Sequence, residues 1–396
     1  MATANPIPDE AVVAERATAD LLVFVTAMPA EQFRSVLDHL AATFSTNNLI
    51  IATRNELPAD VPANLRIDLM PPSNAFWMLQ PSDFIAAAQC GLEHEAKAIL
   101  ILGPGADSLS TAALRSLSDA VLTAPIDLVV PHYSLAPHAG LINSAILYPL
   151  TRAVFASSVR FPLPIDLCMT PRMAERLAAA AQRISANNPG EAILWPVDEA
   201  IAAGFRMDEV DAGPRTVPQP SDTEINSVFA LITGSLFADI EAKAALWQRP
   251  RRALPMRRAT MEVAFTDGTT DVAHMVAAFR LATANLQEIW PLVLPPNSLL
   301  MLKRCSVLEP AEFRLPDNLW ARIVYDFLIA YRLRTINRGH LLGALIPLYL
   351  AWIASYINIV ASGTPAERQI EAVAAAFEAD KPYLVARWRW PDRFNS

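Results

Sequence analysis

The sequence predicts an α/β domain with a doubly wound sheet, followed by an all-helical region. Short apolar runs alternate with amphipathic helical segments over residues 20–155, the pattern of βαβ units. From about residue 226 onward, apolar residues recur at three- and four-residue spacing. Of the 396 residues 53% are apolar and 18% are charged, which is enough apolar material for a substantial core. We expect a tail at 1–19, an α/β domain at 20–225 and a helical domain at 226–396.

Four apolar runs are the predicted strands of the first domain. They are DLLVFVTA at 20–27, NLIIAT at 48–53, ILIL from Ile99 and DLVVP at 127–131. Helical spacing fills the intervals at 31–44, 81–95, 109–122 and 142–155. This alternation predicts a parallel sheet, whose ligands are expected at the carboxyl ends of the strands.

One late segment is apolar enough to raise the question of a membrane. Residues 341–366 carry no charge and are long enough to cross a bilayer as a helix. Pro347, Tyr356 and Asn358 interrupt the segment, and charged amphipathic segments flank it. It is therefore predicted to be a buried core helix with no stable membrane span.

Composition limits the remaining function classes. The net charge of −8 argues against nucleic-acid binding, although RPRRALPMRR at 249–258 is basic and is predicted to be a solvated loop or an anion or partner site. Cys90, Cys168 and Cys305 have no paired spacing, so neither a zinc site nor a disulfide framework is predicted. The acidic N-terminus does not read as a signal peptide, which favours the cytoplasm.

The helical region and the stretch 99–170 together resemble a known family. VYDFLIAYRLRTINRGHLL, PLYLAWIASYI and IEAVAAAFEADKPYLVARW resemble the helical appendage of GT-A-fold nucleotide-sugar glycosyltransferases, in the group of glucosyl-3-phosphoglycerate and mannosylglycerate synthases. The resemblance implies sugar transfer from a UDP- or GDP-linked donor to a small hydroxylated acceptor. It also implies a divalent cation, which neutralises charge on the leaving diphosphate.

The resemblance places metal ligands where this chain has other residues. The Asp-x-Asp pair of the family falls on Gly103-Pro104-Gly105, and its metal-binding His falls on Val217. No metal site is therefore predicted, and Mg²⁺ or Mn²⁺ would need a site that the sequence does not reveal. Asp107 is a candidate substrate-binding carboxylate, with a helix N-cap as the alternative reading.

Other positions supply the remaining candidates. PLPIDLCMT at 162–170 resembles the family loop that shapes the sugar site, which makes Asp166 the candidate catalytic residue, with helix capping as the alternative. Arg152 and Arg160 are candidate phosphate ligands, and Glu56 is a candidate ribose contact or a solvated loop residue. His132 and His138, six residues apart, are read as exposed loop residues or as metal ligands.

Three functions remain open at this stage. The chain is an active transferase, a catalytically silent structural or regulatory partner, or a module that binds a nucleotide sugar without turning it over. The helical domain is the expected surface for a homo-oligomer or for an active paralogue. Because the scaffold helices match the family better than the ligand positions do, an inactive or binding role is favoured over turnover.

Overall fold

The computed structural model describes residues 18–44, 48–187, 193–217, 225–249 and 271–391. Most of the predicted N-terminal tail and nearly all of the basic run at 249–258 lie outside these residues. Seven strands form one sheet: β1 Leu21–Val25, β2 Leu49–Thr53, β3 Arg66–Leu69, β4 Ala98–Leu102, β5 Leu128–Ser134, β6 Asp166–Met169 and β7 Met207–Pro214. Their order is β3-β2-β1-β4-β6-β5-β7.

Helices flank this sheet and make up the C-terminal region. They are α1 Ala30–Thr43, α2 Pro81–Glu93, α3 Thr111–Thr123, α4 Tyr148–Phe155, α5 Pro171–Asn187, α6 Pro196–Ala203, α7 Ile225–Ala242, α8 Ala244–Trp247, α9 Val272–Asn285, α10 Trp290–Val293, α11 Pro296–Cys305, α12 Asp317–Leu333, α13 Arg338–Ala361 and α14 Ala366–Arg389. The predicted architecture, a doubly wound α/β domain followed by a helical region, is confirmed.

The all-parallel reading of the sheet was wrong at one strand. β6 runs antiparallel to both β4 and β5, while the other adjacent pairs are parallel. Its sequence, DLCM, is short and follows a proline-rich stretch, so it lacks the long apolar run of the predicted strands. β3 and β7 were also missed, because both carry polar residues and are only partly buried at the sheet edges.

The sheet is buried on both faces because its central strands are apolar throughout. In β1, Leu22 and Phe24 face a cluster that includes α2 and α5, whereas Leu21, Val23 and Val25 face a cluster that includes α1 and α3. Alternate residues of a strand point to opposite faces, so a strand covered on both sides must be apolar at every position.

A third apolar cluster joins the helical region to the first domain. It unites α4 and Trp195 with residues of α7, α9, α12, α13 and α14. The indole nitrogen of Trp320 in α12 donates to the Ala145 carbonyl at 2.8 Å, across the same contact. The domain boundary after residue 225 stays a prediction, and this core extends across it.

Helix α13 contains the segment that raised the membrane question. Among the described residues it is the one helix long and apolar enough to cross a bilayer, and 61% of its most apolar window is buried within the protein. It packs against α7, α9 and α12. Burial inside the helical region accounts for its apolar sequence without a membrane.

Candidate functional site

The carboxyl ends of the strands bring together residues that are far apart in sequence. β1, β2, β4 and β5 all end at one edge of the sheet, after Val25, Thr53, Leu102 and Ser134. Because β6 runs the opposite way, it begins at that edge, and Asp166 pairs with Leu102 in the ladder. The reversed strand therefore places the Asp166 carboxylate beside the end of β4.

Asp166 is completely buried, and both of its carboxylate oxygens have partners. The Gly103 amide donates to Oδ1 at 3.0 Å, and the Tyr133 hydroxyl donates to Oδ2 at 2.8 Å. Arg215 forms a bidentate ion pair, with Nε donating to Oδ2 at 2.9 Å and Nη2 to Oδ1 at 3.2 Å. Four donors therefore surround the predicted catalytic carboxylate, whose role toward a sugar stays a prediction.

Arg215 contacts Pro104 and Gly105, within the stretch to which the resemblance aligns the metal-binding Asp-x-Asp pair. Its Nη2 donates to the Pro104 carbonyl at 2.9 Å, and its Nη1 donates to the Gly105 carbonyl, to Ser108 Oγ at 3.1 Å and to the Thr216 carbonyl at 3.0 Å. The side chain has no exposed surface. The guanidinium thus supplies a fixed positive charge beside Gly103-Pro104-Gly105 and has every N–H group engaged.

Burial and charge together set the protonation of this network. Burial lowers the pKa of Arg215, but the attraction and hydrogen bonds of Asp166, together with the nearby Tyr133 and Asp107, outweigh it and raise that pKa above its usual value. Burial is also the main cause that raises the pKa of Tyr133 well above its usual value, and the adjacent Asp166 charge adds to it. Tyr133 therefore remains a neutral hydroxyl that donates to Asp166.

Backbone packing explains the glycines that stand at the Asp-x-Asp position. A Cβ atom on Gly103 would lie 2.2 Å from the Ile165 carbonyl oxygen. Gly105 has a φ of 75°, in the left-handed region that glycine adopts most readily. A side chain at position 103 would therefore clash with the backbone, and one at position 105 would have to adopt the left-handed conformation.

The N-cap alternative for Asp107 was wrong. Asp107 lies in a short 3₁₀ turn, Ala106–Ser108, and the cap of α3 is Ser110, whose side chain accepts from the Ala113 amide at 3.1 Å. Oδ1 of Asp107 is buried without a hydrogen-bond partner among the described residues. Substrate binding by Asp107 stays a prediction.

The two candidate phosphate ligands contact α14. Arg152 pairs with Glu371 at 2.6 Å and with Glu378 at 2.9 Å. Arg160 pairs with Glu367 at 3.2 Å. Both arginines thus join the first domain to the last helix, while Nη1 of Arg160 is buried without a hydrogen-bond partner among the described residues. Phosphate binding by either arginine stays a prediction.

The other candidates do not form a metal centre. Glu56 is exposed after β2, and His132 lies 3.4 Å from the Glu209 carboxylate on β7. His138 lines a cavity beside the sheet edge. Within the part of the chain that the structure describes, no three His, Cys, Asp or Glu side chains are grouped as metal ligands. The three cysteines are free and buried.

Two cavities open near this edge. The smaller, about 230 Å³, is lined by polar residues that include Thr26, Asn74, Gln80 and Asp83. Burial raises the pKa of Asp83, whose Oδ2 accepts from the Gln80 amide at 2.8 Å. The larger, about 570 Å³, lies between the sheet edge and the helical region and is mainly apolar. Its size falls within the range of roughly 300–1,000 Å³ that is common for ligand sites.

Arg215 and Tyr133 were not among the predicted site residues. Arg215 belongs to the stretch GPRTVPQPSD that the resemblance aligned with the metal-binding region, but attention fell on Val217. Arg215 directly follows the segment that forms β7, and an arginine at the end of a strand could have been considered as a source of positive charge in the site. Tyr133 gave no such signal, because its role depends on the position of β6.

A second buried charge cluster lies between α6 and α7. Glu199 pairs with Arg176 at 2.7 Å and with Lys243 at 3.0 Å. Lys243 also contacts Asp239, and Asp198 is completely buried beside them. Burial is the main cause that raises the pKa of Asp198 well above its usual value, and the Asp239 carboxyl adds to the shift.

Asp198→Asn is expected to change how stability depends on pH. The raised pKa means that the native state holds a proton that the unfolded chain releases above about pH 4, so this group makes the parent less stable as pH rises. The variant should therefore gain stability relative to the parent between pH 4 and pH 8, as measured by urea midpoints. Asp119→Asn, on the exposed face of α3, is the control. Equal gains at both pH values would contradict the buried-proton account.

Comparisons with known proteins give only distant likenesses. No family model matches the chain, and no curated protein matches it. A structure of glucosyl-3-phosphoglycerate synthase from Mycobacterium tuberculosis, in complex with Mn²⁺, UDP and glucosyl-3-phosphoglycerate, is 12% identical and covers 56% of this chain and 79% of its own, with a TM-score of 0.37. A further mycobacterial protein is 13% identical over 57% of this chain and 75% of its own, with a TM-score of 0.37.

A third solved structure, described as a nucleotide-diphospho-sugar transferase of Desulfovibrio desulfuricans G20, is 8% identical. It covers 58% of this chain and 98% of its own, with a TM-score of 0.31. Because these overlaps are loose, the fold assignment rests on the strand order and the helices of this chain.

Proposed function

We propose that the protein is of the nucleotide-sugar glycosyltransferase kind and binds a nucleotide or nucleotide sugar at the carboxyl edge of its sheet without metal-dependent transfer. The observation that carries the proposal is the buried Arg215–Asp166 pair. In this pair the Arg215 guanidinium supplies the positive charge that a metal ion would supply in a metal-dependent transferase. The same pair engages the Asp166 carboxylate, the group that would otherwise contact the sugar.

The small polar cavity is the proposed nucleoside site. It lies at the end of β1, the position at which α/β sheets commonly bind ligands. Ser73, Asn74 and Ser82 offer hydrogen-bonding groups, and Phe76 offers an aromatic ring for stacking against a base. A pairing with a second copy or with an active paralogue through the helical region stays a prediction.

Thermal unfolding and calorimetry with UDP, GDP and UDP-glucose test this proposal. A ligand that binds only the folded state raises stability, by about 2.7 kcal/mol at a hundredfold excess over Kd. We expect at least one nucleotide to raise Tm equally with and without Mg²⁺ or Mn²⁺, and no turnover of UDP-glucose. Stabilisation that requires the metal, or turnover, would contradict the proposal.

A cavity-filling variant locates the site. Ser82→Trp, at the mouth of the polar cavity near the start of α2, is expected to weaken nucleotide binding at least tenfold. Gln89→Trp, exposed on the same helix, should bind as the parent does. Equal binding by both variants would place the nucleotide elsewhere.

A further inference from the structure

We propose that the larger cavity is a binding site for a neutral, mainly apolar molecule that carries one hydrogen-bonding group such as a hydroxyl. The site lies beside the proposed nucleotide site and does not depend on it. One wall is formed by the loop after β5 and the segment before β6, and the other by α7, α9 and α13. With a volume of about 570 Å³, the cavity is large enough for a small organic molecule.

The described lining of the cavity favours an uncharged occupant. None of its described lining residues is Asp, Glu, Lys or Arg, and most are aliphatic or aromatic, including Leu163, Phe229 and Ile353. An ionised phosphate or carboxylate placed there would lose its hydration without gaining a countercharge. The nearby cations Arg152, Arg160 and Arg215 are engaged in ion pairs. A nucleotide diphosphate therefore does not fit this chemistry.

Two polar groups in the lining, the Tyr349 hydroxyl and Nδ1 of His138, are the reason for expecting one hydrogen-bonding group on the ligand. Tyr349 is 5% exposed and lies on α13, and its hydroxyl has no hydrogen-bond partner within the described residues. Its ring stacks on Phe229 with centroids 4.6 Å apart, which fixes its orientation. Nδ1 of His138, on the opposite wall, is also buried without a partner in the described chain. Buried hydrogen-bonding groups are normally satisfied, so a ligand hydroxyl would complete either of them.

The backbone beside the cavity is also irregular. Residues Asn143–Leu147 form a π-helical turn at the start of α4, and Asn143 both lines the cavity and donates from its amide to the Arg160 carbonyl at 3.0 Å. Single π-helical turns persist despite poorer hydrogen bonding and are frequent at functional sites. This turn sets the cavity wall at the junction of the two regions.

Displacement of a fluorescent probe tests the site in the full chain. N-phenyl-1-naphthylamine, a neutral apolar dye, is expected to bind saturably, and 1-decanol should displace it at concentrations at least fivefold lower than decanoate. UDP should not displace it, which keeps this result independent of the nucleotide proposal. Failure of the dye to saturate, or stronger displacement by decanoate, would overturn the proposal.

Variants link the binding to this cavity. Ala139→Trp places an indole in the cavity and should weaken decanol binding at least tenfold, whereas Ala136→Trp, exposed on the same loop and outside the lining, should not. Tyr349→Phe removes one hydrogen bond and should weaken decanol binding about fivefold. Tyr325→Phe, a buried tyrosine of α12 outside the cavity lining, is the control. Unchanged binding in both Ala139→Trp and Tyr349→Phe would exclude this cavity.

Discussion

Arg215→Met is expected to destabilise the protein by about 3–5 kcal/mol, the usual cost of leaving one partner of a buried ion pair alone. The substitution leaves the Asp166 carboxylate, which has no exposed surface, without its countercharge. It also removes the donors to the Pro104 and Gly105 carbonyls, so the turn after β4 loses its anchors. Guanidinium unfolding midpoints measure the loss.

Two comparisons separate this effect from the loss of an arginine in general. Arg172→Met breaks the pair with Asp127, in which the Arg172 side chain is 71% exposed, and should cost less than about 1 kcal/mol. Adding Asp166→Asn to Arg215→Met removes the stranded charge but keeps a side-chain oxygen for the Gly103 amide, and should recover part of the loss. If Arg215→Met were as stable as the parent, the network would not hold the edge of the sheet together.

The central strands and the long helices were predictable because the apolar pattern that reflects their burial lies within each segment. A strand covered on both faces is apolar at every position, as in β1, β2 and β4. β6 was not predicted because a strand of four residues is too short to show a clear apolar pattern. Its direction depends on the strands beside it. The prediction of a helical C-terminal region is confirmed by α7 to α14.

The site was less predictable, because its function depends on pairs of distant residues. Gly103, Gly105 and Val217 each stand where the resemblance expects a metal ligand. Nothing in these single positions indicates that Arg215, 49 positions after Asp166, supplies a charge beside Gly103 and Gly105. In the same way, the apolar cavity draws on segments from the sheet edge and three helices, so no single stretch reveals it.

Gly103→Ala is expected to destabilise the protein by about 3 kcal/mol or more, at the upper end of the cost of overpacking. The added methyl group would lie 2.2 Å from the Ile165 carbonyl oxygen, and a backbone oxygen cannot rotate away as a side chain can. β4 and the segment before β6 would have to separate. That movement would also lengthen the 3.0 Å bond from the Gly103 amide to Asp166. Urea unfolding measures the loss.

Gly343→Ala is the matched control, because position 343 is exposed on α13 and the new methyl group meets nothing within 4 Å, so it should stabilise the helix by about 0.5–1 kcal/mol. A Gly103→Ala protein as stable as the parent would show that β4 and β6 can separate without cost. The Cβ atom of Gly103→Asp would meet the same Ile165 carbonyl oxygen, so this variant must disrupt the same packing before its carboxylate can bind a cation. We therefore expect no Mn²⁺-dependent rise in Tm from Gly103→Asp, since Arg215 already supplies the positive charge beside that position.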